Sequence, residues 1–82
     1  MNDAHLSGRI CFLKEPDSDS KICFRVSSFQ AYFEASSEDF GGFDLGDDVR
    51  FEIDEKDIPR LSNNHCLIRS VSNIHSTAQR SY

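Results

Sequence analysis

Residues 43–54, FDLGDDVRFEID, predict a turn followed by the clearest β-strand in the chain. The pair Gly46-Asp47 interrupts an otherwise regular pattern and indicates the turn. On both sides of it, apolar residues alternate with polar or charged ones, which is typical of a strand with one buried face. The alternating apolar residues are Phe43, Leu45, Val49, Phe51 and Ile53. The question is which sheet contains this strand, and whether the opposite face of the sheet binds a ligand.

The length and composition of the chain limit the answer to one small domain. Its 82 residues are too few for two domains, and a domain of this size buries only about 60% of its unfolded surface. No apolar run approaches the ~20 residues needed to span a membrane. The first ten residues lack the basic and apolar regions of a secretory signal. We therefore expect a cytoplasmic protein that does not bind membranes.

The remaining sequence predicts further short strands and little helix. A helical turn is predicted at 37–40, ended by Gly41-Gly42, and the polar segments 15–20 and 55–64 read as loops. Five strands with long later loops predict an all-β fold, a small five-stranded antiparallel OB-like barrel. We expect this domain at 6–72, with flexible ends at 1–5 and 73–82. The predicted strands are 6–14, 21–26, 29–35, 48–54 and 65–71.

Three hydrophobic motifs indicate a family: GRICFL at 8–13, FDLGDDVRFEI at 43–53 and IRSV at 68–71. In degenerate form they resemble the cold-shock domain, which has Gly-Lys-Val-Lys-Trp-Phe, a Leu-x-x-Gly turn before x-Val-x-Phe-x-Val, and Ala-x-Asn-Val. The resemblance covers most of residues 6–72. It implies an OB barrel that binds single-stranded RNA or DNA. An S1-type OB module has a similar pattern and is an open alternative.

The differences from the cold-shock family fall on its ligand-binding positions. The first-strand Lys and Trp of the family correspond to Cys11 and Phe12, and the third-strand His corresponds to Ala31. The Lys-Gly-Phe-Gly-Phe motif corresponds to KICF at 21–24, which has neither glycine. The resemblance therefore implies weak nucleic-acid binding that relies mainly on stacking.

Aromatic residues of the first three strands are the candidates for stacking on bases, each contributing ~1–3 kcal/mol. For each ring the alternative is a place in the core, because so small a domain needs several of them inside. Strand parity places Phe12 on an apolar face although its family position predicts exposure, and parity favours the core for Phe24. Phe29 and Phe40 lie at element ends, where we expect exposure. The candidates are Phe12, Phe24, Phe29, Tyr32 (or its neighbour Phe33) and Phe40.

Charge supports two different functions. The net charge is −5, with nine basic and fourteen acidic residues, whereas proteins that hold phosphates usually carry a basic patch. The basic residues of the first two strands could form one locally, and they are Arg9, Lys14, Lys21 and Arg25. The first hypothesis is therefore weak binding of single-stranded RNA or DNA. The alternative is a protein-interaction module that has lost nucleic-acid binding and whose acidic loops select a basic protein partner.

Cysteine and histidine residues give little indication of metal binding or catalysis. Three cysteines cannot all pair within the chain, and Cys11, Cys23 and Cys66 each lie in a predicted strand. We expect reduced thiols that are buried or half-buried. No CxxC spacing supports a zinc site formed by these residues or His65. No histidine has a recognisable catalytic partner, and no phosphate-binding glycine loop is present, so we expect no enzyme activity, metal or cofactor.

Overall fold

The computed structural model describes residues 3–14 and 20–77, which form a β-rich fold with two short helical segments. The all-β prediction is confirmed, and β2 and β4 begin and end at the predicted residues. Most of the predicted loop 15–20 lies outside the described residues. The strands are β1 (Asp3–Lys14), β2 (Lys21–Val26), β3 (Tyr32–Ser36), β4 (Asp48–Asp54), β5 (Leu67–Ile68) and β6 (Ser72–Ser76); the helices are α1 (Ser37–Phe40) and the 3₁₀ helix Glu55–Arg60.

The described strands form one six-stranded sheet in the order β5-β3-β2-β1-β4-β6. Neighbouring strands are antiparallel except β3 and β5, which are parallel. The prediction of five antiparallel strands is therefore wrong in the number of strands and in the relative direction of one pair, β3 and β5. The reason is that the predicted fifth strand is divided: Leu67–Ile68 pairs with β3, and the chain then crosses to β4 and forms Ser72–Ser76 there.

The two edge strands of the sheet, β5 and β6, follow one another in the chain, and this requires the sheet to curl. A flat sheet of six strands would be about 24 Å wide at ~4.8 Å per spacing. The four residue steps from Ile68 to Ser72 cover at most about 14 Å. The edges therefore lie close together, but among the described residues β5 does not pair with β6. The sheet is thus not closed into the predicted barrel.

A β-bulge in β1 decides which side chains of this strand face outward. The register of β1 against β2 shifts between Ile10 and Phe12, so Cys11 is the extra residue. One extra residue reverses the alternation beyond it. Phe12 is consequently 39% exposed, and Leu13 takes the inward position against the core. Cys11 is exposed as well, contrary to the expectation of a buried or half-buried thiol.

The turn predicted in the opening stretch packs directly on this bulge. The amide of Gly46 donates to the carbonyl of Ile10 at 2.9 Å, and the amide of Ile10 donates to the carbonyl of Asp47, also at 2.9 Å. Gly46 has a φ of 91°, a left-handed conformation that favours glycine. Before the bulge β1 pairs with β4, and from Ile10 onward it pairs with β2. The turn thus supports the point where β1 passes from one partner to the other.

Four phenylalanine rings fill the interior of the curled sheet. Phe24 of β2 lies 5.5 Å from Phe33 of β3 and 5.5 Å from Phe51 of β4, measured between ring centroids. Phe40 of α1 lies 5.2 Å from Phe24 and covers one end of the cluster. Aromatic pairs at such separations add about 0.5–1.5 kcal/mol to the stabilisation from burial. The core therefore joins both halves of the sheet to α1.

The predicted helical turn is confirmed at Ser37–Phe40. The Ser36 side chain accepts a hydrogen bond from the amide of Asp39 at 3.2 Å, as an N-cap residue does. Gly41 ends the turn with a φ of 72°. A cap at each end thus determines the position of this short helix and directs Phe40 into the core.

β1 and β6 extend beyond the predicted domain limits of 6–72. Residues 3–5 belong to β1 and pair with β4, and residues 73–76 belong to β6. These parts of the predicted flexible ends are therefore strands, while residues 1–2 and 78–82 lie outside the described residues.

β3 begins later than predicted, because the amides of Gln30 and Ala31 donate to the carbonyl of Leu61.

A 3₁₀ helix within the predicted loop 55–64 was not anticipated. Asp54 caps it by accepting a hydrogen bond from the amide of Lys56 at 3.0 Å. Asp57 is buried and accepts a hydrogen bond from Ser70 Oγ at 2.8 Å. These contacts attach the 3₁₀ helix to the segment that connects β5 and β6.

Candidate nucleic-acid interface

The outer surface of β1, β2 and β3 brings together side chains that are exposed or half-buried. Register explains the grouping, because Phe12 lies opposite Arg25, Lys14 opposite Cys23, and Cys23 opposite Glu34. The intervening residues of β2 and β3 point inward into the core. We call this surface the outer patch, and its members are Phe12, Lys14, Cys23, Arg25, Tyr32 and Glu34.

Two aromatic rings of the outer patch contact each other. The centroids of Phe12 and Tyr32 lie 5.4 Å apart with the ring planes at 90°. Since β2 separates β1 from β3, the two rings meet across β2, where Arg25 lies. The Arg25 side chain is held by a hydrogen bond from its Nε to the carbonyl of Phe29 at 3.3 Å. An edge-to-face pair of this kind leaves ring surface on which a planar ligand can stack.

Phe24 and Phe40 do not belong to this surface. Their side chains are 0% and 1% exposed, and both lie in the aromatic core. The expected exposure of Phe40 is therefore wrong, whereas Phe24 lies in the core as its strand parity predicts. Neither ring is accessible for stacking. Phe24 follows the inward parity of β2, and Phe40 is the inward residue of α1. Phe33 is fully buried too, which leaves Tyr32 as the accessible ring of β3.

Phe29 lies at the margin of the outer patch. Its side chain is half-buried and packs edge-to-face on Phe33, with ring centroids 6.4 Å apart. Its backbone carbonyl accepts the hydrogen bond from Nε of Arg25. The structure therefore places Phe12 and Tyr32 together, with Phe29 beside them and partly committed to the core.

The predicted basic residues differ in whether their charge is already paired. Among residues 3–14 and 20–77, Lys14, Lys21 and Arg25 form no ion pair. Arg9 pairs with Asp48, with Nε and Oδ1 3.2 Å apart, and both side chains are substantially exposed. Exposed pairs of this kind contribute only about 0–1 kcal/mol. Lys14 and Arg25 are the basic residues within the patch, whereas Lys21 lies towards α1, opposite Ser36.

Most acidic side chains of the middle of the chain are not members of the outer patch. Glu38 and Asp39 belong to α1, while Asp44 and Asp47 belong to the turn before β4, and all four are exposed. The acidic member of the patch is Glu34, which pairs with Arg69 at 3.5 Å between Oε1 and Nε. The charged members of the outer patch are therefore two basic residues, Lys14 and Arg25, and one acidic residue, Glu34.

Two residues beside the patch were not predicted. Leu67 of β5 lies opposite Tyr32 in the parallel ladder, and Arg69 pairs with Glu34. The pattern of residues 65–71 indicated a strand but not its partner. Since β5 follows a long loop, only the tertiary structure could show that it lies next to β3.

Cys23 lies in the patch between opposite charges. Its pKa is raised above the ordinary value, chiefly by burial and further by the negative charge of Glu34, while the positive charge of Lys14 acts in the opposite direction. Burial disfavours the thiolate because a charged group loses hydration there. The thiolate fraction near neutral pH is accordingly reduced, and so is reactivity toward alkylating reagents.

The substitution Glu34→Gln is expected to accelerate alkylation of Cys23. Removing the neighbouring negative charge lowers the pKa of the thiol, so the thiolate fraction at about pH 8 increases. The measurement is the rate of reaction with iodoacetamide against pH, with Cys11 and Cys66 replaced by serine. Glu38→Gln, which removes an exposed charge on α1, is the matched control. Equal rates in the two variants would contradict the assigned role of Glu34.

The described residues contain neither a membrane-spanning helix nor a group of side chains suited to a metal ion. In the described part of the chain, no helix is both long and apolar enough to cross a membrane. Within the same residues, no three His, Cys, Asp or Glu side chains are arranged to hold a metal ion.

No protein-family model matches the chain, and no curated protein or solved structure is significantly similar to it.

Proposed function

We propose that the chain is a cold-shock-like OB module that binds single-stranded RNA or DNA weakly through the outer patch. The observation that carries this proposal is the accessible pair of Phe12 and Tyr32, with Lys14 and Arg25 beside it. Aromatic rings interleaved with cations are the common means of binding single strands, because bases stack on the rings and phosphates contact the charges.

The strand connections support an OB-type arrangement. β1 is shared between β2 and β4, β5 runs parallel to β3, and α1 lies between β3 and β4 in the chain. If β5 and β6 are taken as two halves of one bent strand, the strand count becomes five. In OB folds the surface of the second and third strands is the usual place for oligonucleotides, and the outer patch lies on the corresponding strands here.

The expected affinity is low for reasons visible in the patch. Two accessible rings offer about 1–3 kcal/mol each, and two cations in the patch provide few phosphate contacts. The acidic surface formed by α1 and the turn before β4 repels a polyanion that extends in that direction. We therefore expect a short binding site, with a salt dependence that reflects a small number of phosphates.

The test is fluorescence anisotropy of labelled mixed-sequence single strands at ~50 mM and ~200 mM salt, the range over which phosphate contacts weaken. For Lys14→Gln, the slope of log affinity against log salt is expected to fall by about 0.7, the value for one phosphate on a single strand. Arg50→Gln on β4 is the control with the same loss of charge. A similar change in both variants would indicate nonspecific attraction and contradict a role for the patch.

A second function is supported by the acidic surface. Leu45 is exposed between Asp44 and Asp47 in the turn before β4, which places an apolar side chain among negative charges. This combination suits a basic protein partner. If single strands fail to bind at ~50 mM salt and a basic protein is retained by the wild type but not by Leu45→Ala, this function replaces the first.

A further inference from the structure

A groove lies beside the outer patch, between the 3₁₀ helix and the segment that connects β5 to β6. Its volume is about 760 Å³, which is within the range of small-ligand sites. Basic side chains predominate in its walls. The lining residues are Lys56, Asp57, Arg60, Leu67, Arg69 and Ser70.

The charge of the groove favours an anion. Three of its lining residues are basic and one is acidic. The carboxylate of Asp57 is already engaged, since it accepts from Ser70 Oγ at 2.8 Å and lies 3.6 Å from a guanidinium nitrogen of Arg60. The side chains of Arg60 and Arg69 are 59% and 74% exposed. An arginine has five N–H donors, so each retains several for a ligand.

Lys56 brings an uncompensated charge to the groove. Its ammonium group forms no ion pair with residues 3–14 or 20–77. Arg60 is paired with Asp57 and Arg69 with Glu34, but both guanidinium groups are themselves largely exposed. A phosphate can accept two parallel N–H hydrogen bonds from one guanidinium. Such a bidentate contact competes well with these pairs.

The walls of the groove are held together by hydrogen bonds. The amide of Asp54 donates to Ser70 Oγ at 3.1 Å, and Ser70 Oγ in turn donates to Asp57 Oδ2 at 2.8 Å. These bonds connect the start of the 3₁₀ helix to the segment after β5. The basic side chains therefore belong to two elements that are fixed relative to one another. This lowers the entropic cost of arranging them around a ligand.

The groove is continuous with the outer patch at two points. Leu67 lines the groove and lies opposite Tyr32 in the β3–β5 ladder. Arg69 also lines the groove and pairs with Glu34 of the patch. A strand of nucleic acid that leaves the ring of Tyr32 in the direction of β5 therefore meets the groove next.

We propose that this groove is a phosphate-binding subsite for the backbone of the same single strand whose bases stack on Phe12 and Tyr32. The inference rests on the proposed function and adds the direction in which the strand runs, from β1 across β3 to the 3₁₀ helix. Non-bridging phosphate oxygens accept hydrogen bonds from Lys56, Arg60 and Arg69, and the sugar contacts Leu67. Strands too short to reach past Tyr32 do not use the groove.

The test compares oligonucleotides of about 4 and about 10 nucleotides, which lie within the site sizes known for OB folds. The variants are Lys56→Gln and Arg69→Gln, both at exposed positions, and Arg50→Gln is the control with the same loss of charge. For the longer strand, each groove variant is expected to weaken binding severalfold and to lower the salt slope by about 0.7. Binding of the shorter strand, and binding to Arg50→Gln, should stay at the wild-type level.

Two results would overturn the subsite while leaving the proposed function intact. One is wild-type affinity of both groove variants for the long strand, together with weaker binding by Phe12→Ala. The other is an equal loss of affinity for short and long strands. Failure of the wild type to bind either strand would overturn both the proposed function and the subsite.

Discussion

Replacing Phe12 and Tyr32 together with alanine is expected to weaken binding of single-stranded oligonucleotides at least thirtyfold, or about 2 kcal/mol. The two rings contact each other across β2 and are the accessible aromatic surface of the outer patch. Each ring that stacks on a base contributes ~1–3 kcal/mol. The measurement is the dissociation constant by fluorescence anisotropy at ~50 mM salt, low enough to detect weak binding.

Two control variants show whether the loss comes from stacking. Tyr32→Phe keeps the ring and should keep most of the affinity, whereas Leu45→Ala removes an exposed apolar side chain from the acidic turn and should change little. The double variant should stay folded, since Phe12 is 39% exposed and Tyr32 is only half-buried. Wild-type affinity in a folded double variant would contradict base stacking on this surface.

Phe24→Ala is expected to lower the free energy of unfolding by about 3–5 kcal/mol, the usual cost of removing a buried phenylalanine. Phe24 is fully buried and contacts the rings of Phe33, Phe40 and Phe51. A small domain has a total stability of only about 5–15 kcal/mol, so this loss is a large part of it. Urea denaturation followed by circular dichroism measures the change.

The comparison with Phe12→Ala separates core from surface. Since Phe12 lies outside the core, its replacement should change the free energy of unfolding by less than about 1 kcal/mol. Phe24→Leu retains much of the buried volume and should be less damaging than Phe24→Ala. If Phe24→Ala left stability unchanged but abolished oligonucleotide binding, Phe24 would be a binding residue and its assignment to the core would be incorrect.

Several parts of the fold follow from local sequence. The alternation in 48–54 specifies β4, because one face of this strand is buried along its length. The helical turn at 37–40 follows from Ser36 as N-cap and Gly41 at its end. In both cases the deciding interactions lie within a few residues of each other, which is the range over which sequence patterns are informative.

The exposure of Phe12 could not be decided from strand parity. A regular strand would place Phe12 on the same side as Ile10, which is buried. The bulge at Cys11 reverses this, and it depends on how β1 pairs with β2 and on the turn at Gly46. Those contacts join distant parts of the chain, so the local pattern does not contain them. The resemblance to cold-shock domains, by contrast, implied an exposed ring at Phe12.

The groove could not be predicted from the local sequence pattern for a similar reason. Lys56 and Arg69 are thirteen positions apart in a stretch whose pattern indicated a loop and a strand. Their proximity results from the 3₁₀ helix and from the hydrogen bonds of Ser70 with Asp54 and Asp57. Division of the predicted fifth strand between the two sheet edges likewise depends on the curl of the whole sheet.

The most direct test of the central claim is to titrate single-stranded RNA and DNA into ¹⁵N-labelled protein at ~50 mM salt and follow the backbone amide signals. The account predicts saturable shifts concentrated on the three strands of the outer patch, at Phe12, Arg25 and Tyr32, with little change at Glu38 and Asp39 of α1. Absence of shifts, or shifts confined to the acidic surface of α1 and the turn before β4, would contradict it.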